Sequence, residues 1–303
     1  MLFRSSHGGY GWPVHSVPYE IVDVFTDRPF TGNPLAVVFD GEGLATEQMQ
    51  ALAREFNLAE TLFVLPPTVA GATYRARIFT TQSELPFAGH PSVGAAVTIC
   101  RRRGEDPGPV VQECGAGLLP ITVYGDGRAT LNGATPTIGE PVDPTNLLAV
   151  VGLAAEDFAG PAPRVAGTGL EFAFLPVVPD AVARSAPDAA AAKATGYGQV
   201  SVFSWDPDTR AAHARVFVPG VGVPEDPATG SAALGLGVWL VASGLLPPDG
   251  ESRYTVHQGA ELHRPSTLDC TVSARDGMAV SATVTGHVVP IATGQISVPP
   301  FVG

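Results

Sequence analysis

The sequence predicts an α+β fold of two similar domains, each a mainly antiparallel sheet rolled around a central apolar helix. Three observations predict it. Short runs rich in β-branched and aromatic residues, bounded by turn residues, recur along all 303 residues. Two apolar helical patterns interrupt them, one in each half. A similar local pattern opens each of these helices: Gly89-His90-Pro91-Ser92-Val93-Gly94-Ala95-Ala96 in the first, and Glu225-Asp226-Pro227-Ala228-Thr229-Gly230-Ser231-Ala232-Ala233 in the second. Each is a polar residue, a proline, small residues and then an apolar helix, which reads as a duplication.

Residues 1–17 read as an extension before the first strand run. Strands are expected at Tyr19–Phe25 and Leu35–Phe39. A helix follows over Thr46–Asn57, with Met49, Leu52, Ala53 and Phe56 on one face and Thr46 as its N-cap. Thr61–Val64 and Tyr74–Thr80 are the next strands. Pro91–Arg103 is the central helix, with proline at its first position and a stop at Gly104. Val110–Glu113 and Ile121–Tyr124 complete the strands of the first half. A proline-rich stretch over 136–144 marks the boundary. Beyond it, Glu171–Val178, Val200–Trp205, Ala214–Val218, Tyr254–Gln258, Leu268–Ala274 and Met278–Val284 read as strands. Pro227–Ala242 reads as the second helix, apolar all round and therefore buried. The domains are accordingly placed at 18–135, completed by 286–303, and at 136–285.

Composition narrows the function. Hydrophobic residues make up 45% and charged residues 15%, enough to build a core. A net charge of −12 argues against nucleic acid and anionic membrane surfaces as partners. The run Arg101-Arg102-Arg103 closes a helix and reads as its solvated last turn. Three cysteines, Cys100, Cys114 and Cys270, have neither CxxC nor metal-ligand spacing and read as free thiols. The N-terminus lacks the apolar core of a signal peptide, and no apolar run reaches bilayer length, so a cytoplasmic location is expected.

The helix starts are candidate binding sites. A helix N-terminus presents N–H groups without intrahelical partners and a partial positive charge, which together attract carboxylate or phosphate. Gly89 permits close backbone approach, and Pro91 removes an N–H that would have no partner. Gly230 permits the same approach, and Ser231 adds a hydroxyl. Two such starts facing one another would hold a small anion, although ordinary capping explains either alone. His90, between glycine and proline, is poorly placed for packing and well placed to point into a cleft. The positive helix end should keep its ring neutral. Asp226, extended because a proline follows it, either caps its helix or holds a substrate amine or hydroxyl. Glu60 stands at the lip of the apolar strand Thr61–Val64. Apolar neighbours would raise its pKa toward that of a useful acid–base group, and a strand-edge surface carboxylate fits the same position. No GxGxxG after a strand, P-loop, GxSxG or HExxH motif occurs, so no metal site is expected. No cysteine stands at either helix start, which argues against a two-thiol racemase.

These residues resemble a known family. Phe30-Thr31-Gly32-Asn33-Pro34-Leu35-Ala36-Val37-Val38 resembles the early F-x-G-N-P-x-A-V-V stretch of the PhzF-like phenazine-biosynthesis isomerases. Asn57–Val64 resembles their N-L-S-E-T-x-F-V segment, and Ile78-Phe79-Thr80 with Glu84–Pro91 resembles F-T-P-x-x-E-L-P-F-A-G-H-P. Glu225–Ala232 resembles E-D-P-x-T-G-S-A, and Gln258-Gly259 with Arg264-Pro265-Ser266 resembles Q-G-x-x-x-x-R-P-S. Ala59 stands where serine is common, and Thr81 where proline is common.

The resemblance implies a diaminopimelate epimerase-like fold with the active site between two similar domains, no cofactor, and a homodimer. The name-giving member isomerises trans-2,3-dihydro-3-hydroxyanthranilate. In it a glutamate carries a proton between ring carbons, and the resulting enol relaxes to a ketone. By position Glu60 matches that glutamate. His90, Asp226 and Ser231 match the residues around the substrate, with Gly89 and Gly230 as adjoining backbone. The resemblance thus implies a cofactor-independent isomerase of small unsaturated cyclic amino or hydroxy acids in secondary metabolism. Glu60, His90 and Asp226 are its expected catalytic residues, and Gly89, Gly230 and Ser231 bind a small carboxylate substrate. The alternatives are an epimerase or C–C hydrolase on another unsaturated amino-acid intermediate, or a non-catalytic binder of small anions.

Overall fold

The computed structural model describes residues 15–218 and 224–299. The first half contains strands Ser16–Val24 (β1) and Asn33–Val38 (β2), helix Thr46–Phe56 (α1), strands Glu60–Leu65 (β3), Tyr74–Phe79 (β4) and Glu84–Leu85 (β5), helix Gly89–Arg103 (α2), and strands Pro109–Cys114 (β6), Gly117–Val123 (β7) and Arg128–Asn132 (β8). The second half opens with strand Thr137–Pro141 (β9), helix Pro144–Val150 (α3), strands Arg164–Gly167 (β10) and Glu171–Pro176 (β11), and helices Pro179–Arg184 (α4) and Ala189–Thr195 (α5). It continues with strands Val200–Asp206 (β12), Ala211–Phe217 (β13) and Glu225–Asp226 (β14), helix Gly230–Ala242 (α6), and strands Gly250–Gln258 (β15), Ser266–Arg275 (β16) and Met278–Ser297 (β17).

The strand pairings close one ring. It runs β1, β2, β3, β4, β6, β7, β8, β17 and back to β1. A second series runs β17, β16, β15, β13, β12, β11, β10, β9 and stays open at β9. The two have the same plan. In each, two parallel pairs stand out among antiparallel ones: β2 with β3 and β4 with β6 in the first, β11 with β12 and β13 with β15 in the second. Parallel neighbours need a crossover. α1 and α2 supply it in the first half. The pair α4 and α5, then α6, supply it in the second. The duplication read from two short motifs is therefore a duplication of topology.

α2 fills the ring, and α6 fills the curve of the open second series. Every residue of α2 from Gly89 to Cys100 and every residue of α6 from Gly230 to Val241 is buried. A helix can be apolar on all sides only when protein surrounds all sides, which a rolled sheet provides. In the second core Trp239 of α6 meets Phe203 of β12 edge-on, with ring centroids 5.1 Å apart. The last turn of α2 emerges from its ring, where Arg101 Nη2 donates to the buried Glu20 carboxylate at 2.6 Å.

Several boundaries differ from expectation. Residues 1–14 of the expected extension lie outside the described residues, while Ser16 and Val17 already belong to β1, and Val17 is buried. The proline-rich stretch holds a strand, β9, paired with β10. α1 takes Ala45, not Thr46, as N-cap, and Gln48 Oε1 accepts from the Ala45 N–H at 2.9 Å. α2 begins at Gly89 rather than Pro91, and α6 at Gly230 rather than Pro227. Cys100 and Cys270 are buried free thiols, and Cys114 is half-buried. No helix among the described residues is long and apolar enough to cross a membrane.

Candidate active site

The two central helices meet start to start. A Cβ added at Gly89 would stand 3.3 Å from the Ser231 nitrogen and 3.5 Å from Gly230 Cα, so glycine lets the two starts approach this closely. Neither start is capped by a side chain, the N-caps being Ala88 and Thr229. The uncapped starts line a cavity of about 160 Å³ between the halves. Glu60, Gly89, His90, Asp226, Gly230 and Ser231 all line it, so the structure brings together every residue that the sequence singled out. Leu85, Phe87, Leu170, Phe172 and Val218 form an apolar wall. No Lys or Arg lines the cavity among the described residues. The positive potential available to an anion there comes from the two helix starts.

Glu60 is the first residue of β3, and the rest of that strand is buried. Its Oε2 is fully enclosed, makes no hydrogen bond to the protein, and lies 3.6 Å from His90 Nε2, which is also unpartnered. Burial is the main cause holding the Glu60 carboxyl well above the usual carboxylate range, with the negative charge of Asp226 adding to it. His90 is itself buried, and its pKa is lowered to about 3. The sequence reading of a neutral ring holds, but burial, rather than the helix end, is the main cause.

Asp226 ends β14 just before α6. It does not cap the helix. Its Oδ2 accepts from Thr229 Oγ1 at 2.6 Å, and its Oδ1 accepts from Asn33 Nδ2 at 2.7 Å. Burial raises its pKa to about 6 against these two donors, which pull it down, and the nearby Glu225 adds to the rise. Gln258 fixes the backbone beneath. Its Nε2 donates to Asp226 O at 2.6 Å, and its Oε1 accepts from Thr229 N at 3.1 Å. Two half-buried carboxyl groups with raised pKa values, a neutral imidazole and two converging helix starts can hold a small anion and move protons on it.

Sequence reasoning passed over the supporting shell. Asn33, Thr229 and Gln258 each hold a site residue, yet the residue pattern gave them no role. Asn33 and Gln258 stand in the quoted F-x-G-N-P and Q-G runs, which was the available signal. Leu170 and Phe172 come from a second-half segment with no motif, and only the fold brings them to the cavity.

The duplicated sheet-and-helix architecture is an epimerase-like fold. A hydroxyproline epimerase from Agrobacterium vitis shares the fold at a TM-score of 0.66 and 14% identity, covering 95% of this chain and 94% of that one. The family described as phenazine biosynthesis-like protein matches residues 22–294. The solved structure of a Bacillus anthracis PhzF family protein matches with a TM-score of 0.83 and 26% identity, over 94% of this chain and all of that one. An uncharacterised isomerase of Mesorhizobium japonicum is 37% identical over 92% of this chain and 98% of its own. The trans-2,3-dihydro-3-hydroxyanthranilate isomerase of Pseudomonas aeruginosa is 34% identical over 91% of this chain and 98% of its own. The chain belongs to the PhzF-like family, and it is an isomerase.

Proposed function

We propose that this protein isomerises a small unsaturated cyclic amino or hydroxy acid, of the kind named for its Pseudomonas relative, by moving one proton between two carbons. The observation that carries the reading is Glu60, which lines the cavity at two uncapped helix starts and whose Oε2 is enclosed without a hydrogen-bond partner. The substrate carboxylate sits at the Gly89 and Gly230–Ser231 starts, and its ring lies against the apolar wall. Ionised Glu60 takes a proton from a carbon flanked by double bonds. The electron pair left behind shifts the double bonds, and the now protonated Glu60 returns the proton to a second carbon on the same face. The formula is unchanged, and no electrons enter or leave. His90 and Asp226 orient the ring and its amino or hydroxyl substituents. A carboxylate destabilised by burial is a stronger base once ionised, and positioned proton transfer contributes roughly 10²–10⁴-fold.

The test is a proton NMR time course in D₂O with trans-2,3-dihydro-3-hydroxyanthranilate and either wild type or Glu60→Gln. Loss of starting signals with deuterium entering one carbon, in wild type alone, supports the reading. Equal turnover by Glu60→Gln removes Glu60 from the chemistry. No change with folded wild type removes this substrate, and inversion at one carbon without a shift of double bonds points to an epimerase.

A further inference from the structure

We propose that Asn33 is a positioning residue that holds Asp226 and His90 in one frame across the junction of the two halves; this deepens the functional reading above and rests on it. Asn33 is the first residue of β2, in the first half, and is fully buried. Its Nδ2 lies 2.7 Å from Asp226 Oδ1 and 3.0 Å from Ala228 O, both in the second half, and 3.1 Å from His90 Nδ1 in the first. Among the described residues it is the one side chain that hydrogen-bonds both His90 and Asp226. Its orientation is forced. Turned over, the amide would place its oxygen against the ionised Asp226 carboxylate and the Ala228 carbonyl, two acceptors that cannot donate to it. The orientation present leaves Asn33 Oδ1 buried with no partner. A residue kept only for packing would not carry an unsatisfied buried carbonyl, since such a group is costly and an apolar side chain of the same shape avoids it.

The approach to this position is also built. Gly32 has φ +69°, and a Cβ there would stand 2.4 Å from Val24 O, so the chain turns tightly against β1 just before Asn33. The Gly32 N–H donates to Pro265 O of the second half at 3.1 Å. The amide of Asn33 is thereby delivered to Asp226 from the far side of the junction. Its hold on Nδ1 leaves the Nε2 edge of His90 to face Glu60. The charged and titratable groups around Asp226 are Glu60, His90 and Glu225, and Glu225 is paired with Arg215 at 2.7 Å. Asn33 and Thr229 are the donors that favour the ionised form of Asp226.

The test compares wild type with Asn33→Leu and Asn33→Asp, both close in shape. Long-range ¹H–¹⁵N correlation reads the His90 ring, and ¹³C-carboxyl titration reads Asp226, identified as the signal lost in Asp226→Asn. In either folded variant the Asp226 midpoint should rise by about one pH unit or more, because one charge-assisted hydrogen bond is lost and, in Asn33→Asp, a second carboxylate faces Asp226, and the His90 nitrogen shifts should move. With substrate, kcat should fall at least about tenfold while KM changes less. Unchanged His90 and Asp226 signals in a folded variant would overturn the proposal. If Asn33→Leu does not fold, Asn33→Asp keeps the shape and decides the matter. The NMR readings need no substrate, so an inactive wild type would sink the functional reading and leave this result standing.

Discussion

Arg264 and Asp23 form an ion pair that joins the two halves behind the active site. Arg264 Nη2 donates to Asp23 Oδ1, and its Nε donates to Gly32 O at 2.7 Å. Asp23 Oδ2 accepts from the Phe30 N–H at 2.7 Å. Asp23 is 2% exposed, and burial raises its pKa in spite of the guanidinium beside it. Removing the cation alone would leave a buried carboxylate without its counter-charge. Arg264→Ala should therefore destabilise the protein by about 3–5 kcal/mol, read by urea denaturation. Arg264→Ala with Asp23→Asn should recover part of that loss, and if the double variant is no more stable than the single one, the pair does not act as a unit.

Glu60 should cost stability at the pH where it works. Its pKa in the folded state lies above the unfolded value, so its favourable contribution is complete below the unfolded pKa and is lost as pH rises through the folded one. Glu60→Gln should match wild type near pH 4 and exceed it by about 1 kcal/mol or more near pH 8, where Glu60 is driven toward its charged form. Thermal melts at the two pH values check this, with a gain of about 2 °C expected at the higher one.

The acid limb of activity should lie above the ordinary carboxylate range, since the first step needs ionised Glu60. Its proton is held by burial and by the charge of Asp226. His90, with a pKa near 3, stays neutral throughout and should contribute no limb above that pH. Asp226→Asn removes a neighbouring negative charge, so the Glu60 midpoint should move down, as followed by ¹³C-carboxyl titration. An upward or absent shift would contradict the coupling.

Gly89→Ala adds one methyl between the helix starts, 3.3 Å from the Ser231 nitrogen. Alanine suits a helix better than glycine, so the melting temperature should change little. The starts must part by a few tenths of an ångström, and kcat/KM should fall at least about tenfold. Unaltered kinetics would show that the spacing of the two starts does not matter.

The site was legible because its residues stand in short contiguous runs at the starts of two strongly apolar helices. The strands between them were less so. β8, β9 and β10 are short, and β9 and β10 carry no alternation. The sequence pattern marks β17 only over Met278–Val284, yet the strand continues to Ser297 through Gly286, Pro290 and Gly294, residues that usually end a strand. Each has a tertiary reason to be tolerated. A Cβ at Gly286 would stand 2.2 Å from the Phe25 ring, and one at Gly294 2.8 Å from Tyr19 Oη, so both positions need a missing side chain. Pro290 pairs with Val22 where the register against β1 shifts between Ile21 and Val22. No local pattern carries these facts, because the partners lie at the other end of the chain.

That shared last strand sets the order in which the molecule can be finished. β1 pairs with β17 from Ser16 opposite Ser297 to Val24 opposite Val288, and β8 also waits for β17. During synthesis the second half can assemble most of its sheet as it emerges from the ribosome. The first half, made earlier, must stand with two open strand edges until β17 leaves the exit tunnel. The part of the protein translated first is thus the part completed last, and its exposed edges are the surface that a chaperone would need to shield in the interval.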